Sequence, residues 1–322
     1  MRAGTVLSPL KRRVLCDALS CRRRRRRLLF YPSRPIMSQA ATSAKSTPES
    51  EQPTTTQLLS STFFDAHTHV HLDERQHLLE RTARHVKSLR GAGLMATGDD
   101  DWEDAVALAT ACDNARLCVG VHPWFAHRYA RGDGKWEWLE RLRKYVTTTP
   151  GACVGEIGLD RQWVTPDTGQ VEYDAQREVF EAQLALAAEL EVPVSVHCVR
   201  AQGHLAEALA AAPSLPPAIY MHAFGGTLGT LEQLVRSRKY GDRMYFGFAT
   251  CINLRSPKTP SVIAAVPDDR LLLESDRESS EHVDEELRAM LCIYADAKGW
   301  TVEEAARRTA ENAERFYAAA VR

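Results

Sequence analysis

Two histidines, His67 and His69, stand two residues apart at the end of a short apolar run, residues 63–66. Residues at positions i and i+2 of a β-strand point to the same face, so the two imidazoles lie on one side, about 7 Å apart along the strand. Such a pair can converge on one metal ion, because imidazole nitrogen is a common ligand of divalent metals. His71 continues the alternation, and a solvated His-rich surface is the alternative interpretation of this segment.

Further histidines and carboxylates follow other apolar runs in the same way. They are His122, Glu156, His197, His222 and Asp276. Taken singly, each has an ordinary explanation, such as a hydrogen-bonded structural histidine or a carboxylate that caps a helix. These explanations are independent of one another, whereas one metal site would account for all the residues together. The set therefore favours a metal site.

Eight apolar, β-branched runs alternate with stretches of helical character from residue 62 onward. The candidate strands are residues 63–66, 94–97, 117–121, 153–157, 194–196, 219–221, 244–248 and 271–273. The candidate helices are residues 74–89, 101–111, 135–145, 171–190, 205–211, 228–236, 281–297 and 302–319, and the segment 259–265 is too short to assign. This alternation predicts an α/β fold with a parallel sheet, and eight units match a TIM-like (β/α)8 barrel. A doubly wound open sheet is the alternative, although no Gly-x-Gly-x-x-Gly turn follows a strand and dinucleotide binding lacks support.

Catalytic groups of such barrels lie at the carboxyl ends of the strands. Six of the candidate residues would meet there as metal ligands: His67, His69, Glu156, His197, His222 and Asp276. Six ligands exceed one tetrahedral shell, so we expect two ions about 3.5–4 Å apart. Glu156 is our candidate for the bridging ligand, because a carboxylate has two oxygens. Histidine and carboxylate ligands together permit Mg, Mn or Zn.

The net charge of −1 conceals an uneven distribution along the chain. Residues 1–37 contain 11 Lys or Arg residues, six of them consecutive at 22–27, and one acid, which leaves 30 basic and 41 acidic residues for 38–322. The basic start fits a mitochondrial transit peptide, a nuclear localisation signal, or a leader upstream of an alternative start at Met37. We therefore expect an intracellular protein that is mitochondrial, nuclear or cytoplasmic.

The composition divides the chain into two parts. Residues 1–61 form a basic leader and a Ser/Thr-rich linker that we expect to be disordered, and residues 62–322 form one barrel domain. The eight cysteines contain no C-x-x-C pair, which is typical of reduced intracellular thiols. No stretch approaches the roughly 20 apolar residues of a membrane span. The acidic body argues against broad wrapping of nucleic acid, but it does not exclude a phosphate substrate held by metal ions.

Several segments resemble, in family order, the TatD-type metal-dependent deoxyribonucleases of the amidohydrolase superfamily. They are DAHTHVHLD (65–73), GVHPWF (120–125), VGEIGLDR (154–161), PVSVHCVRA (193–201), MHAFGG (221–226) and LLLESD (271–276). The resemblance spans about residues 62–317. Within this family, the segments that contain Trp124 and Arg161 most resemble those of the fungal branch called Cut9-interacting protein.

The resemblance implies a two-metal centre within the TIM-like barrel. It sorts the predicted ligands into two sets: His67, His69, Glu156 and Asp276 for the first ion, and Glu156, His197 and His222 for the second. It also implies phosphodiester hydrolysis by metal-activated water (EC 3.1.-), with DNA as substrate and 3′→5′ exonuclease activity. We expect the protein to act as a monomer.

Catalytic and binding roles follow from this interpretation. Glu156 and Asp276 are the predicted catalytic residues, with Asp276 as general base, while His122 and Arg161 are candidates to hold a phosphate. Arg277 follows Asp276 where many family members have Ala-Pro, which leaves the substrate open. The alternatives are a metal-dependent hydrolase of a non-phosphate ester or amide, and an interaction protein of the Cut9-interacting type that retains the metal site.

Overall fold

The computed structural model describes residues 61–73, 79–130 and 136–320 of the chain. The predicted leader and linker lie outside the described residues, apart from residue 61, so the domain boundary and the localisation signals stay predictions. Within the described part of the chain, no helix is both long and apolar enough to span a membrane.

Eight parallel strands form one sheet in which each strand lies beside its neighbours in sequence. The strands are β1 Phe64–Thr68, β2 Gly91–Met95, β3 Ala115–Val119, β4 Cys153–Asp160, β5 Val194–Val199, β6 Ile219–Met221, β7 Met244–Phe248 and β8 Leu271–Leu273. The first and last strands meet where the backbone N–H of Asp276 donates to the carbonyl of His67 at 2.9 Å. This order confirms the TIM-like barrel and rejects the doubly wound sheet, whose strand order reverses at a switch point.

Helices connect the strands and pack outside them. They are α1 Leu79–Ser88, α2 Trp102–Ala111, α3 Glu137–Thr148, α4 Tyr173–Glu189, α5 Gln202–Ala211, α6 Leu228–Val235, α7 Thr250–Asn253, α8 Thr259–Ala265, α9 Val283–Lys298 and α10 Val302–Ala318. Helix α8 corresponds to the segment that the sequence left unassigned. Pro260 lies in its first turn, where a missing N–H costs nothing, and Val262 and Ile263 bury its apolar face.

Strand β2 begins three residues before its predicted start. The prediction missed Gly91, Ala92 and Gly93 because these small residues do not form an apolar, β-branched run. The glycine at position 93 is required by the last helix, α10. The hydroxyl of Tyr317 on this helix would lie 1.9 Å from a Cβ atom at Gly93. The same hydroxyl donates to the carbonyl of Ala66 at 2.8 Å, so α10 is fixed against the inner strands.

Two irregularities in strand pairing direct side chains toward the centre of the barrel. From Asp65 to Thr68, β1 advances by three positions while β2 advances by two. In the same way β4 advances from Val154 to Ile157 while β5 advances by two. Such bulges bend a strand and change where its side chains point. Here they contain His67 and Glu156, two of the predicted ligands.

Candidate metal centre

All six predicted ligands converge at the carboxyl ends of the strands. Their positions are His67 in β1, His69 after β1, Glu156 in β4, His197 in β5, His222 after β6 and Asp276 after β8. Five of the six residues are buried, and the His197 side chain is nearly so. The structure therefore brings the six side chains together as the strand-end argument predicted.

A first group of donor atoms surrounds Oε2 of Glu156. This oxygen lies 3.1 Å from Nε2 of His69 and 3.4 Å from Nε2 of His67. Oδ1 of Asp276 lies 3.6 Å and 3.7 Å from the same two nitrogens, which are 3.2 Å apart. Ligands bound at 2.0–2.2 Å to a tetrahedral ion lie about 3.3–3.6 Å from one another. The five distances among these atoms, 3.1–3.7 Å, are thus close to the spacing that one divalent ion requires.

A second group surrounds the other oxygen of the same carboxylate. Oε1 of Glu156 lies 2.7 Å from Nε2 of His222 and 2.9 Å from Nδ1 of His197. These two nitrogens are 3.3 Å apart. Glu156 therefore faces one donor group with each oxygen, which is the arrangement of a bridging ligand. Three protein donors leave positions free for water or substrate, as in catalytic sites.

The outer nitrogens of His69 and His197 have defined partners, which orient their inner nitrogens. Nδ1 of His69 donates to the carbonyl of Met95 at 2.6 Å, so Nε2 faces the cluster. Nε2 of His197 lies 3.4 Å from Oδ2 of Asp160, so Nδ1 faces the cluster. Metal-binding histidines commonly use a carbonyl or carboxylate in this way. The donor set therefore fits divalent ions.

His122 lies beside the second group, but its ring is oriented differently. Its Nε2 lies 3.2 Å from Oε1 of Glu156, and its Nδ1 accepts a hydrogen bond from the backbone N–H of Trp124 at 3.2 Å. Burial lowers the pKa of His122 to about 4, so the ring is neutral near pH 7. A neutral ring that accepts at Nδ1 carries its proton on Nε2. This tautomer suits a hydrogen-bond donor better than a metal ligand.

The two carboxylates of the cluster are held in their ionised form. Burial alone would raise the pKa of Glu156, but the imidazoles of His222 and His122 outweigh it and hold the pKa well below its ordinary range. Burial also opposes ionisation of Asp276, and its hydrogen bond with His69 and the other imidazoles lower its pKa. Both side chains can therefore accept a cation or a proton at neutral pH.

The pKa values of two histidines in the cluster are shifted in opposite directions. Burial lowers the pKa of His67 to about 3, and the nearby His222 imidazole adds to the effect. Burial has the same sense at His197, yet its hydrogen bonds with Asp160 and Glu156 prevail and raise its pKa to about 10. A metal ion that uses Nδ1 of His197 must displace a proton there, so metal binding competes with protonation.

Asp160, at the end of β4, is an important residue that the sequence reasoning did not select. Its Oδ2 accepts from Nε2 of His197 and from Nε1 of Trp124, the latter at 2.8 Å. The hydrogen bond with His197 holds the pKa of Asp160 at about 2 against the effect of burial, which would raise it. Positions 156 and 160 share one parity along a strand, but the bulge between Val154 and Ile157 makes that parity an unreliable guide from the sequence.

A second buried carboxylate, Glu274, lies beneath the cluster and was also missed. One of its oxygens lies within 4.8 Å of ring nitrogens of both His67 and His222. Its Oε2 accepts from the hydroxyl of Tyr220 and its Oε1 accepts from the backbone N–H of Ala223 at 2.7 Å. Burial raises the pKa of Glu274 well above its ordinary value. These partners indicate a supporting role rather than a ligand.

The two other residues singled out in the sequence lie at the edge of the site. The guanidinium of Arg161 is exposed and lies 5.4 Å from the ring centroid of Tyr173. The side chain of His71 is buried, with Nε2 3.6 Å from Oδ2 of Asp101, and it belongs to neither donor group. The third histidine of the opening motif is therefore separate from the cluster.

Comparisons with known proteins agree with this architecture. The family described as "TatD related DNase" matches residues 64–318. The chain is 30% identical over 223 residues to the Cut9-interacting protein scn1 of Schizosaccharomyces pombe, which covers 56% of this chain and 66% of that protein, just under two thirds. It is 32% identical over 191 residues to the 3'-5' ssDNA/RNA exonuclease TatD of Enterobacter lignolyticus, covering 58% and 67%.

Two further similarities extend over nearly the whole length of the related proteins. The uncharacterised metal-dependent hydrolase YabD of Bacillus subtilis is 25% identical over 269 residues, which cover 79% of this chain and 98% of that protein. The crystal structure of the TatD homologue YjjV from Escherichia coli superposes with a TM-score of 0.66 at 23% identity. It covers 80% of this chain and 98% of YjjV, and at this identity it supports the fold alone.

Proposed function

Because the chain belongs to the TatD-related DNase family, we propose that it is a metal-dependent phosphodiesterase that removes nucleotides from the 3′ end of single-stranded DNA or RNA. One observation carries the proposal. The two oxygens of Glu156 face separate groups of donor atoms, at 3.1 Å from Nε2 of His69 and 2.7 Å from Nε2 of His222. A carboxylate shared in this way suits a pair of divalent ions, the usual centre for phosphodiester hydrolysis.

The assignment of ligands follows the two donor groups. His67, His69, Glu156 and Asp276 would hold the first ion, and Glu156, His197 and His222 would hold the second. Bound ions would make water more acidic and neutralise charge on the phosphate. Mg, Mn and Zn all remain candidates, because the ligands combine carboxylates with imidazoles.

The residues around the ions have separate tasks. Asp276 accepts the proton of the attacking water as general base; its carboxylate is ionised and its backbone N–H is fixed to the carbonyl of His67. The Nε2–H of His122 donates to a non-bridging phosphate oxygen, which its neutral tautomer permits. Arg161 attracts the strand from the exposed edge of the site.

A nuclease assay of the purified chain tests this function. Single-stranded DNA and RNA labelled at the 5′ end are incubated with Mg²⁺, Mn²⁺ or Zn²⁺, and products are resolved at single-nucleotide length. We expect stepwise shortening from the 3′ end and its loss in Glu156→Ala and Asp276→Ala. Activity that survives both substitutions would contradict the proposed centre. Turnover of esters or amides, with none of phosphodiesters, would favour the alternative hydrolase.

The similarity to scn1 favours a second candidate function, binding of a protein partner. The two functions make different demands on the metal centre. A cell that depends on partner binding alone should grow normally with Glu156→Gln, since this substitution preserves the size of the side chain. A growth defect with Glu156→Gln, measured at equal protein abundance, would show that the metal centre is needed.

A further inference from the structure

Two indoles stack beside the candidate metal centre. Trp124 lies in the 3₁₀ helix Pro123–Arg128, and Trp163 lies in the loop that follows β4. Their ring centroids are 4.2 Å apart and their planes differ by 18°. The ring of Trp124 also lies 4.7 Å from that of His122 and 6.2 Å from that of His197. Trp124 therefore borders His122 and His197, of which His197 belongs to the second donor group.

Packing accounts for the inner indole better than for the outer one. Trp124 is 9% exposed, and its Nε1 donates to Asp160 at 2.8 Å. Trp163 is half-buried, and its Nε1 has no hydrogen-bond partner among the described residues. An indole that serves the core usually satisfies its N–H when buried. Trp163 instead covers the inner indole from a surface loop.

Asp160 fixes both indoles relative to the metal centre. Its Oδ2 accepts from Nε1 of Trp124 and lies 3.4 Å from Nε2 of His197. Its Oδ1 accepts from the backbone N–H of Trp163 at 3.0 Å. One carboxylate thus connects a candidate metal ligand with the pair of aromatic rings. A group bound on the indoles would therefore keep a constant position relative to the cluster.

The loop that carries Trp163 exposes further apolar surface. Val164 is 53% exposed and Val171 is 36% exposed, and they are two of the four most exposed large apolar side chains among the described residues. Thr165 and Gln170 close the loop, with the N–H of Thr165 donating at 2.8 Å. Asp167, between them, accepts from Arg128 at 2.6 Å and so joins the loop to the segment of Trp124. Apolar surface with a charged rim beside a catalytic cluster is typical of a ligand site.

We propose that Trp163, supported by Trp124, stacks on the base of the nucleotide whose phosphate is bound at the metal centre. The inference rests on the proposed function and defines its substrate as an unpaired end of the strand. Every base has an aromatic face, so stacking accepts all four bases but requires that the base be free of its partner. Arg161, exposed beside the same loop, would attract the strand backbone.

Equilibrium binding to the full chain tests the platform without turnover. The probes are deoxyadenosine 5′-monophosphate and 2-deoxyribose 5-phosphate, which share the phosphate and differ in the base. Affinities are measured by calorimetry in Mn²⁺ for the wild type, Trp163→Ala, Trp163→Phe and a control, Leu254→Ala, which truncates another exposed apolar side chain. We expect the wild type to bind the nucleotide roughly 10- to 100-fold more tightly than the sugar phosphate.

The variants separate stacking from a structural role. In Trp163→Ala the nucleotide and the sugar phosphate should bind with about equal affinity. The preference for the nucleotide should persist in Trp163→Phe and Leu254→Ala. A preference that is equal in the wild type and Trp163→Ala would overturn the proposal.

A second measurement distinguishes this failure from failure of the proposed function. Wild-type protein is given single-stranded DNA with an ordinary or an abasic 3′ nucleotide. Slower removal of the abasic nucleotide supports the platform, whereas equal removal of both overturns it. If neither strand is cleaved, the proposed function has failed, and the binding ratio still decides whether Trp163 recognises a base.

Discussion

Oδ2 of Asp160 lies 3.4 Å from Nε2 of His197, on the side of the imidazole that faces away from the metal centre. This contact sets which nitrogen of His197 is presented to Glu156. Asn at position 160 would place an amide opposite two N–H groups, those of His197 and Trp124. We expect Asp160→Asn to weaken binding of one of two Mn²⁺ ions by about 10- to 100-fold in calorimetry of metal-stripped protein.

Asp167→Asn is the matched control for this prediction. Asp167 lies in the same loop region and pairs with Arg128 at the surface, away from the cluster. The control should bind both ions with wild-type affinity. An equal loss in both variants would assign the effect to the loop rather than to the orientation of His197.

Glu156→Gln should disrupt both donor groups at once. Glutamine has one carbonyl oxygen and one amide nitrogen, so it cannot offer an acceptor to both ions. We expect the number of bound Mn²⁺ ions to fall below two and nuclease activity to drop by roughly a hundredfold or more. Glu207→Gln, on the exposed face of α5, is the control and should retain both properties. Two ions bound with unchanged affinity would refute the bridging role.

Gly158→Ala should destabilise the barrel at the junction of β4 and β5. Gly158 has φ of 147°, and a Cβ atom there would lie 1.9 Å from the carbonyl oxygen of His197. Backbone strain and overpacking together should lower the free energy of unfolding by about 3 kcal/mol or more in urea titration.

Gly203→Ala provides the comparison for this substitution. Apart from its chain neighbours and the backbone of its own helix, no atom lies within 4 Å of a Cβ at Gly203, which is the second residue of α5. Its free energy of unfolding should stay within about 1 kcal/mol of the wild type, with a small gain from helix propensity. Similar losses in the two variants would argue against a specific clash at Gly158.

Cys251 and Cys292 should differ strongly in their reactivity toward alkylating reagents. Burial, with a contribution from Asp276, raises the pKa of Cys251 to about 12, whereas Cys292 on α9 is exposed. At pH 8 the Cys251 thiolate is therefore scarce, about one molecule in 10⁴. Iodoacetamide should label Cys292 at least a hundredfold faster, as measured by peptide mass spectrometry.

The pH dependence gives a second readout for the same pair. Thiolate abundance rises tenfold per pH unit below the pKa, so labelling of Cys251 should increase about a hundredfold from pH 8 to pH 10. Urea-unfolded protein should label both cysteines alike. Rapid modification of Cys251 in native protein at pH 8 would be inconsistent with its burial.

The barrel and the convergence of the six side chains could be predicted from the sequence. Alternation of apolar runs with helical stretches determines the layer architecture, and parallel strands place their carboxyl ends at one edge. The convergence of His67 with Asp276 follows from this rule, although His67 lies in the first strand and Asp276 follows the last one. Their roles as ligands stay predictions.

The contacts that orient the histidines of the cluster could not be predicted from the sequence in the same way. The contact between Asp160 and His197 depends on the register of β4 against β5, which a bulge shifts by one residue. The tautomer of His122 depends on the backbone turn that begins the 3₁₀ helix Pro123–Arg128. Neither the register of a bulged strand nor a local turn geometry is determined by residue type alone, so these features required coordinates.

The closure between the first and last strands has a consequence for synthesis of the protein. Asp65 and Ser275, which are 210 positions apart, are joined by a hydrogen bond of 2.9 Å at this closure. The first donor group therefore cannot assemble on a nascent chain until the segment after β8 has left the ribosome. Under the proposed function, a chain that ends before Asp276 would therefore lack a complete hydrolytic centre.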